Sequence, residues 1–111
     1  MIIFQRLISG SILSAAAATY YTAPANTKAV VQHMALTNTT TNAVSATVHV
    51  VATGATESVS TAVISSRIIS GLETYNCPEA IGAVILATGT IRALAGSVST
   101  ISIQASGIEI A

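Results

Sequence analysis

The chain has 111 residues, of which 51% are hydrophobic, but only 4% are aromatic and 7% are charged. A chain of this length forms one domain, and its core must be built mainly from Ala, Val, Ile and Leu. Four bases and four acids cancel to a net charge of zero. Because nucleic-acid binding needs clustered positive charge, we exclude it. So few charges leave a free monomer prone to association, which predicts that neighbouring chains cover part of its surface.

The N-terminal segment, residues 1–18, is rich in apolar residues that do not alternate cleanly. It is predicted to be either an edge strand or an arm that packs on a neighbouring subunit, while residues 19–111 form the β-sandwich domain. Arg6 and the apolar run up to Ala18 resemble a signal peptide, but Gly10 and several serines interrupt the run. No apolar run approaches the ~18 residues that a membrane span needs. We therefore predict neither secretion by this route nor a membrane-embedded protein.

Residues 29–52 are predicted to form a central β-hairpin. Every residue from 37 to 42 is Asn or Thr, and such side chains compete with helical backbone bonds and favour turns. On either side, apolar residues recur at every second position, as in strands. The second strand presents one apolar face, made of Val44, Ala46, Val48 and Val50. The first strand presents Val30, Met34 and Leu36, with Gln32 as a polar intruder.

The rest of the chain continues as short strands separated by turns. Strands are predicted at 19–22, 62–69, 73–77, 91–95 and 98–110, and the segment 79–87 fits a helical turn or a buried loop equally well. In the last strand the apolar positions change phase after Gly107, which predicts a β-bulge there. The total of seven or eight strands at regular spacing predicts an all-β fold, a single antiparallel β-sandwich or jelly roll.

No arrangement of residues points to catalysis, a cofactor or a metal. The chain has no Asp, its four glutamates are scattered, and Cys77 is its only cysteine. A triad or a carboxylate metal site is therefore disfavoured, and Cys77 is predicted to be a small buried residue. His33 and His49 fall on the less apolar face of the predicted hairpin as cross-strand neighbours. Two histidines without further ligands do not make a metal site, but their protonation would loosen subunit contacts near pH 6.

The functional residues expected are those of subunit contacts. Adjacent Tyr20 and Tyr21 on a strand face opposite sides, so at most one enters the core and the other is free to anchor an interface. The full set of interface candidates is Ile3, Phe4, Arg6, Leu7, Tyr20, Tyr21, His33 and His49.

Four phrases of the sequence stand together in a distinctive order. They are Tyr20-Tyr21-Thr22-Ala23-Pro24-Ala25-Asn26-Thr27-Lys28, Leu36-Thr37-Asn38-Thr39-Thr40, Gly71-Leu72-Glu73-Thr74-Tyr75 and Ala105-Ser106-Gly107-Ile108-Glu109. From residue 19 to residue 111 the chain resembles the small virion structural proteins of tailed bacteriophages. The resemblance implies a β-sandwich particle component without catalytic activity, assembled in the host cytoplasm. The expected role is capsid decoration (cement) as a homo-oligomer, with a trimer favoured, bound to the major capsid protein.

Two alternatives stay open. Comparable small β proteins also serve as tail or baseplate parts of the same particles. A sandwich that binds carbohydrate or a host surface would need exposed aromatics beside carboxylates, and Glu73 with Tyr75 is the only such pairing in this chain, which has no Trp.

Overall fold

The computed structural model describes residues 2–53, 55 and 61–111. Within them the regular structure consists of strands and short 3₁₀ turns without an α-helix, so the all-β prediction is confirmed. The strands are β1 (Ile2–Ile12), β2 (Ala18–Thr22), β3 (Lys28–Asn38), β4 (Val44–Val51), β5 (Ala62–Ile69), β6 (Thr74–Tyr75), β7 (Val84–Ile85), β8 (Thr90–Ala95) and β9 (Ile101–Ile110). In the segment at 79–87 the helical-turn alternative matches the 3₁₀ turn Pro78–Ala80, whereas the short strand β7 follows it where a buried loop was the other alternative.

The strands form two antiparallel sheets that pack face to face. The first sheet has the order β1-β9-β3-β6, with β7 also paired to β3, and the second has the order β2-β8-β4-β5. From β1 to β4 each connection crosses to the other sheet. The link from β4 to β5 stays within the second sheet, and the later connections cross between the sheets again, apart from the one that joins β6 to β7. This winding is that of a jelly roll, one of the two architectures predicted.

The predicted hairpin of residues 29–52 is wrong, because β3 and β4 lie in different sheets. The Asn-Thr turn between them is an arch from one sheet to the other, organised by the fully buried side chain of Asn38. Its Nδ2 donates to the carbonyl oxygens of Asn42 (2.7 Å) and Ile69 (3.0 Å), and its Oδ1 accepts from the backbone N–H (3.0 Å) and hydroxyl (2.8 Å) of Thr40. Both arrangements give the same alternation in sequence, but the arch lets the two apolar faces cover each other.

Irregular registers change which residues of β3 face the core. A register shift lies between Val31 and His33 where β3 pairs with β9, so two consecutive residues, Gln32 and His33, are both exposed. Val31 is therefore buried in place of Val30, and the polar intruder predicted at Gln32 lies outside the core.

The bulge predicted at Gly107 is also wrong. Buried and less buried residues alternate along β9 without interruption, with Gly107 and Glu109 both on the inner side. The shift lies instead in the partner strand, opposite Gly107. A Cβ at position 107 would lie 2.0 Å from the carbonyl oxygen of Val30, so the close approach of the two backbones requires glycine.

The N-terminal residues belong to the first sheet. β1 pairs with β9 from Ile2 opposite Ile110 to Ile12 opposite Ser102. β1 therefore lies at the edge of that sheet, as in the edge-strand alternative for residues 1–18. Leu7 and Leu13 are buried in the core between the sheets. That core consists almost entirely of Ala, Val, Ile and Leu, and it also contains Cys77, as predicted for that residue.

Candidate interaction surface

The outer face of the first sheet, which points away from the second sheet, carries a row of apolar side chains across four strands. Phe4 of β1 lies opposite Ile108 of β9, Ile108 opposite Val30 of β3, and Val30 opposite Val84 of β7. We call these four residues the apolar row. Phe4 is 75% exposed and Val84 is 51% exposed, while the two residues between them are half-buried. A continuous apolar row of this kind marks an interaction surface more than scattered single residues do.

Two further apolar residues and a lysine border the apolar row on one side, and polar or charged residues border it on the other. Towards one end of the strands lie Ile2, Ile110 and Lys28 in one cross-strand line. Towards the other end lie Arg6, Ser106 and His33, which line a shallow cavity of about 140 Å³. An apolar centre with polar and charged residues along part of its rim matches the composition of protein–protein interfaces.

Four of the eight predicted interface candidates lie on the first sheet with their side chains accessible. They are Ile3, Phe4, Arg6 and His33. Phe4, Arg6 and His33 share the outer face, and Ile3 lies opposite the inward-facing Glu109 at the free edge. Sequence reasoning missed Val30, Val84 and Ile108, because the pairing that brings them beside Phe4 joins segments far apart in the chain.

The other four candidates are buried or half-buried. Leu7 is buried in the core. His49 is buried in the second sheet, where its Nδ1 lies 2.9 Å from the hydroxyl of Thr61. The two histidines are therefore not neighbours as predicted, since His33 pairs with Ser106 in the first sheet. A joint effect of the two rings on one subunit contact loses its geometric basis.

Both tyrosines pack against the core, contrary to the expectation that at most one would. A register shift between Thr19 and Tyr21 breaks the strict alternation along β2. The hydroxyl of Tyr20 accepts from the backbone N–H of Ser14 at 3.0 Å and donates to the carbonyl oxygen of Ile12 at 3.3 Å. Through these two hydrogen bonds Tyr20 stabilises the connection between β1 and β2.

The side chain of Tyr21 contacts a buried carboxylate. Its hydroxyl donates to Oε2 of Glu109, which is 8% exposed. Burial, and then the hydrogen bond and the charge of Glu109, raise the pKa of the Tyr21 phenol well above its ordinary value of 10.0. Glu109 faces inwards in phase with the unbroken alternation along β9, and that alternation is the only local signal of its burial.

Glu73 and Tyr75 are the pairing considered for carbohydrate binding, and Tyr75 lies beside Arg67. Glu73 is exposed and Tyr75 is half-buried. The guanidinium carbon of Arg67 lies 4.4 Å from the centroid of the Tyr75 ring, a cation–π contact. One face of this ring is thereby occupied, which weakens the case for stacking a sugar on it.

One further concave surface lies at the end of the sandwich near Lys28. It is a wide, mainly apolar cleft of about 740 Å³ lined by Asn26, Thr27, Lys28, Ala52, Thr53, Leu86, Ala87, Ile110 and Ala111. No group of three or more His, Cys, Asp or Glu side chains that could hold a metal ion occurs in the described part of the chain. No helix among the described residues could cross a membrane.

Comparisons of this chain with protein-family models, with curated proteins and with solved structures find no match.

Proposed function

We propose that this protein is a non-enzymatic structural subunit of a tailed-phage virion, a capsid decoration (cement) protein. It docks on the shell through the outer face of its first sheet. The observation that carries the proposal is the apolar row, because it spans the sheet from one edge strand to the other.

The isolated chain leaves a considerable apolar area of this face in water. Ile2, Phe4 and Val84 are each more than half exposed. Fully burying one such side chain contributes about 1.5–3 kcal/mol, so covering the exposed parts of all three would contribute roughly 3–5 kcal/mol. A partner that covers this face gains that energy without desolvating a carboxylate on the row, because the outer positions of β9 carry only apolar, Ser and Gln side chains.

Three further observations support a structural role. The sequence resembles small virion proteins of tailed phages, and the jelly-roll winding is one that viral capsid domains use. The same winding also occurs in lectins, so the fold alone does not decide the function. The low charge of the chain favours a protein that is covered by neighbours in an assembly.

A tail or baseplate subunit would dock through the same surface. Cosedimentation distinguishes a location on the capsid shell from one on the tail. Purified protein is mixed with isolated capsid shells or with isolated tails, and each mixture is sedimented. We expect the protein to pellet with shells and to stay in the supernatant with tails. Pelleting with tails alone would move the proposal to the tail, and pelleting with neither would overturn it.

Matched variants test whether the outer face is the docking surface. Val84→Lys places a charge in the apolar row, whereas Val98→Lys places one in the β8–β9 loop, where Val98 is 66% exposed. We expect Val84→Lys to weaken shell binding at least tenfold, and Val98→Lys to bind like the wild type. Equal binding by both variants would contradict docking through this face.

A further inference from the structure

We propose that two copies of this chain pair through the free edge of β1, in antiparallel orientation about a two-fold axis at Phe4. The pairing joins the two first sheets into one continuous sheet. This inference does not depend on the virion role, because it rests on the edge itself.

The free edge of β1 is unusually open to pairing. β1 has β9 on one side, and no strand formed by the described residues lies on the other. From Ile2 to Arg6 it pairs with β9 without a register shift, and shifts begin only beyond Arg6. The regular segment contains no Pro, and Arg6 is its only charge. Charges, prolines and bulges are the features that normally protect edge strands.

The other edges among the described residues are less suited to pairing. β6 and β7 have two residues each, and β2 has a register shift in its middle. β5 carries Arg67, and Ser66 has a φ of 47°, which interrupts the extended backbone. β1 therefore offers the longest regular free edge.

Charge and length together select the register of the pairing. Phe4 is the centre of the regular segment, so an axis there pairs all five residues and sets Ile2 opposite Arg6 of the second copy. An axis at Arg6 would set two guanidinium groups opposite each other, which is unfavourable. It would also draw the bulged residues into the contact. An axis at Phe4 instead places the two phenyl rings side by side, a favourable cross-strand aromatic pair.

The pairing also extends the apolar row without a break. Residues that lie opposite each other in a sheet point to the same side. The row of one copy, from Val84 to Phe4, therefore continues into the row of the second copy, from Phe4 to Val84. The dimer presents one apolar surface of twice the width.

The contact closes with two chains, because each copy uses the same edge. A dimer therefore replaces the trimer that the resemblance implies. Five paired residues make an interface at the low end of the specific size range, so we expect a dissociation constant in the micromolar range.

Sedimentation equilibrium tests the pairing with three proteins over about 1–500 µM, a range that brackets micromolar affinity. The wild type should be a concentration-dependent dimer. Phe4→Lys should be a monomer, with the dissociation constant of the dimer raised at least thirtyfold, because two ammonium groups would then face each other. Val84→Lys, on the same outer face but at the far edge, should dimerise like the wild type. Circular dichroism checks that all three are folded.

Disulfide trapping gives a second readout. Phe4→Cys should form a cross-linked dimer on mild oxidation, because residues opposite each other across a strand pair lie about 4.5–5.5 Å apart at Cβ. Val84→Cys should not, because the paired sheets separate the two Val84 positions by about seven strand spacings, or roughly 34 Å. The wild type should not cross-link either, because Cys77 is buried.

A monomeric wild type across the whole range would overturn the proposal, as would a trimer. So would a Phe4→Lys variant that still dimerises, or a Val84→Lys variant that does not, since the latter would mean that copies stack through their outer faces.

Discussion

Replacing Asn38 tests the account of the arch between the two sheets. Its fully buried amide makes four hydrogen bonds, two as a donor and two as an acceptor. Asn38→Ala removes all four and leaves buried partners unsatisfied, in particular the Ile69 carbonyl, whose bond to Asn38 is buried. Each such orphaned group costs about 1–3 kcal/mol. With two of them unmet, we expect the free energy of unfolding to fall by about 3–4 kcal/mol.

Asn38→Asp tests the same hydrogen bonds while the shape of the side chain is preserved. The carboxylate keeps both acceptor roles but points a negative charge at two carbonyl oxygens, so burial should raise its folded-state pKa above the unfolded value. The sign of the pH dependence follows, since a raised folded pKa makes stability fall as pH increases through it. We expect Asn38→Asp to be strongly destabilised at pH 7 and to recover part of the loss near pH 4.

The assay is guanidinium unfolding followed by circular dichroism, at one fixed protein concentration because association adds to stability. The control is Asn42→Ala, since Asn42 lies in the same arch with an exposed side chain and contributes only its backbone carbonyl to Asn38. We expect that control to lose less than about 1 kcal/mol. If Asn38→Ala loses no more than Asn42→Ala, the arch is not held by this side chain and the reasoning is refuted.

Two further predictions concern β9. Gly107→Ala should lower the free energy of unfolding by about 2–4 kcal/mol, because its Cβ would collide with the Val30 backbone; chemical denaturation measures this, and an unchanged midpoint would contradict the close approach. Tyr21→Phe should cost about 1–3 kcal/mol, because the buried Glu109 carboxylate loses its donor. Since the raised pKa of the Tyr21 phenol favours its neutral form in the folded state, wild-type stability should be retained below pH 10 and decline above it. The difference between wild type and Tyr21→Phe should therefore shrink in alkaline solution, and a constant difference from pH 8 to pH 11.5 would argue against the pairing.

Local patterns predicted the strands well but not how they pair. The alternation of Val44, Ala46 and Val48 correctly marks the buried face of β4. The same alternation serves a hairpin and an arch equally, so the sequence could not decide between them. What decides is the buried amide of Asn38, whose partner Ile69 is 31 residues away. A turn rich in Asn can be recognised locally, but such a distant partner cannot.

A bulge and a buried glutamate account for two further errors. A bulge adds one residue to a strand and exchanges its two faces from that point onwards. Gln32 and His33 are two consecutive exposed residues, so strict alternation cannot hold across them. It therefore assigns Val30 to the core, whereas Val31 is the residue that is buried. In β9 the change of apolar phase after Gly107 comes instead from placing Glu109 inside and leaving Ile110 partly exposed. A buried glutamate opposes the usual burial preference, so hydrophobicity alone predicts the wrong face.

The candidate surface was predictable only at its edge. Phe4 lies in an apolar N-terminal segment without clean alternation, and it is one of the predicted interface candidates. Its neighbours Ile108, Val30 and Val84 come from three other strands, and their alignment depends on long-range register. Register of this kind follows from the whole packed structure.

The central claim is that the outer face of the first sheet is covered in the assembled particle. Hydroxyl-radical footprinting of free and particle-bound protein tests it directly, because side chains that become covered are oxidised more slowly. We expect Val84 and Ile2 to be protected on the particle, with Val98 and Leu72, exposed elsewhere, oxidised at unchanged rates. Val84 is the decisive residue, since pairing through β1 leaves it uncovered. Unchanged oxidation of Val84 together with protection of Val98 or Leu72 would contradict the account.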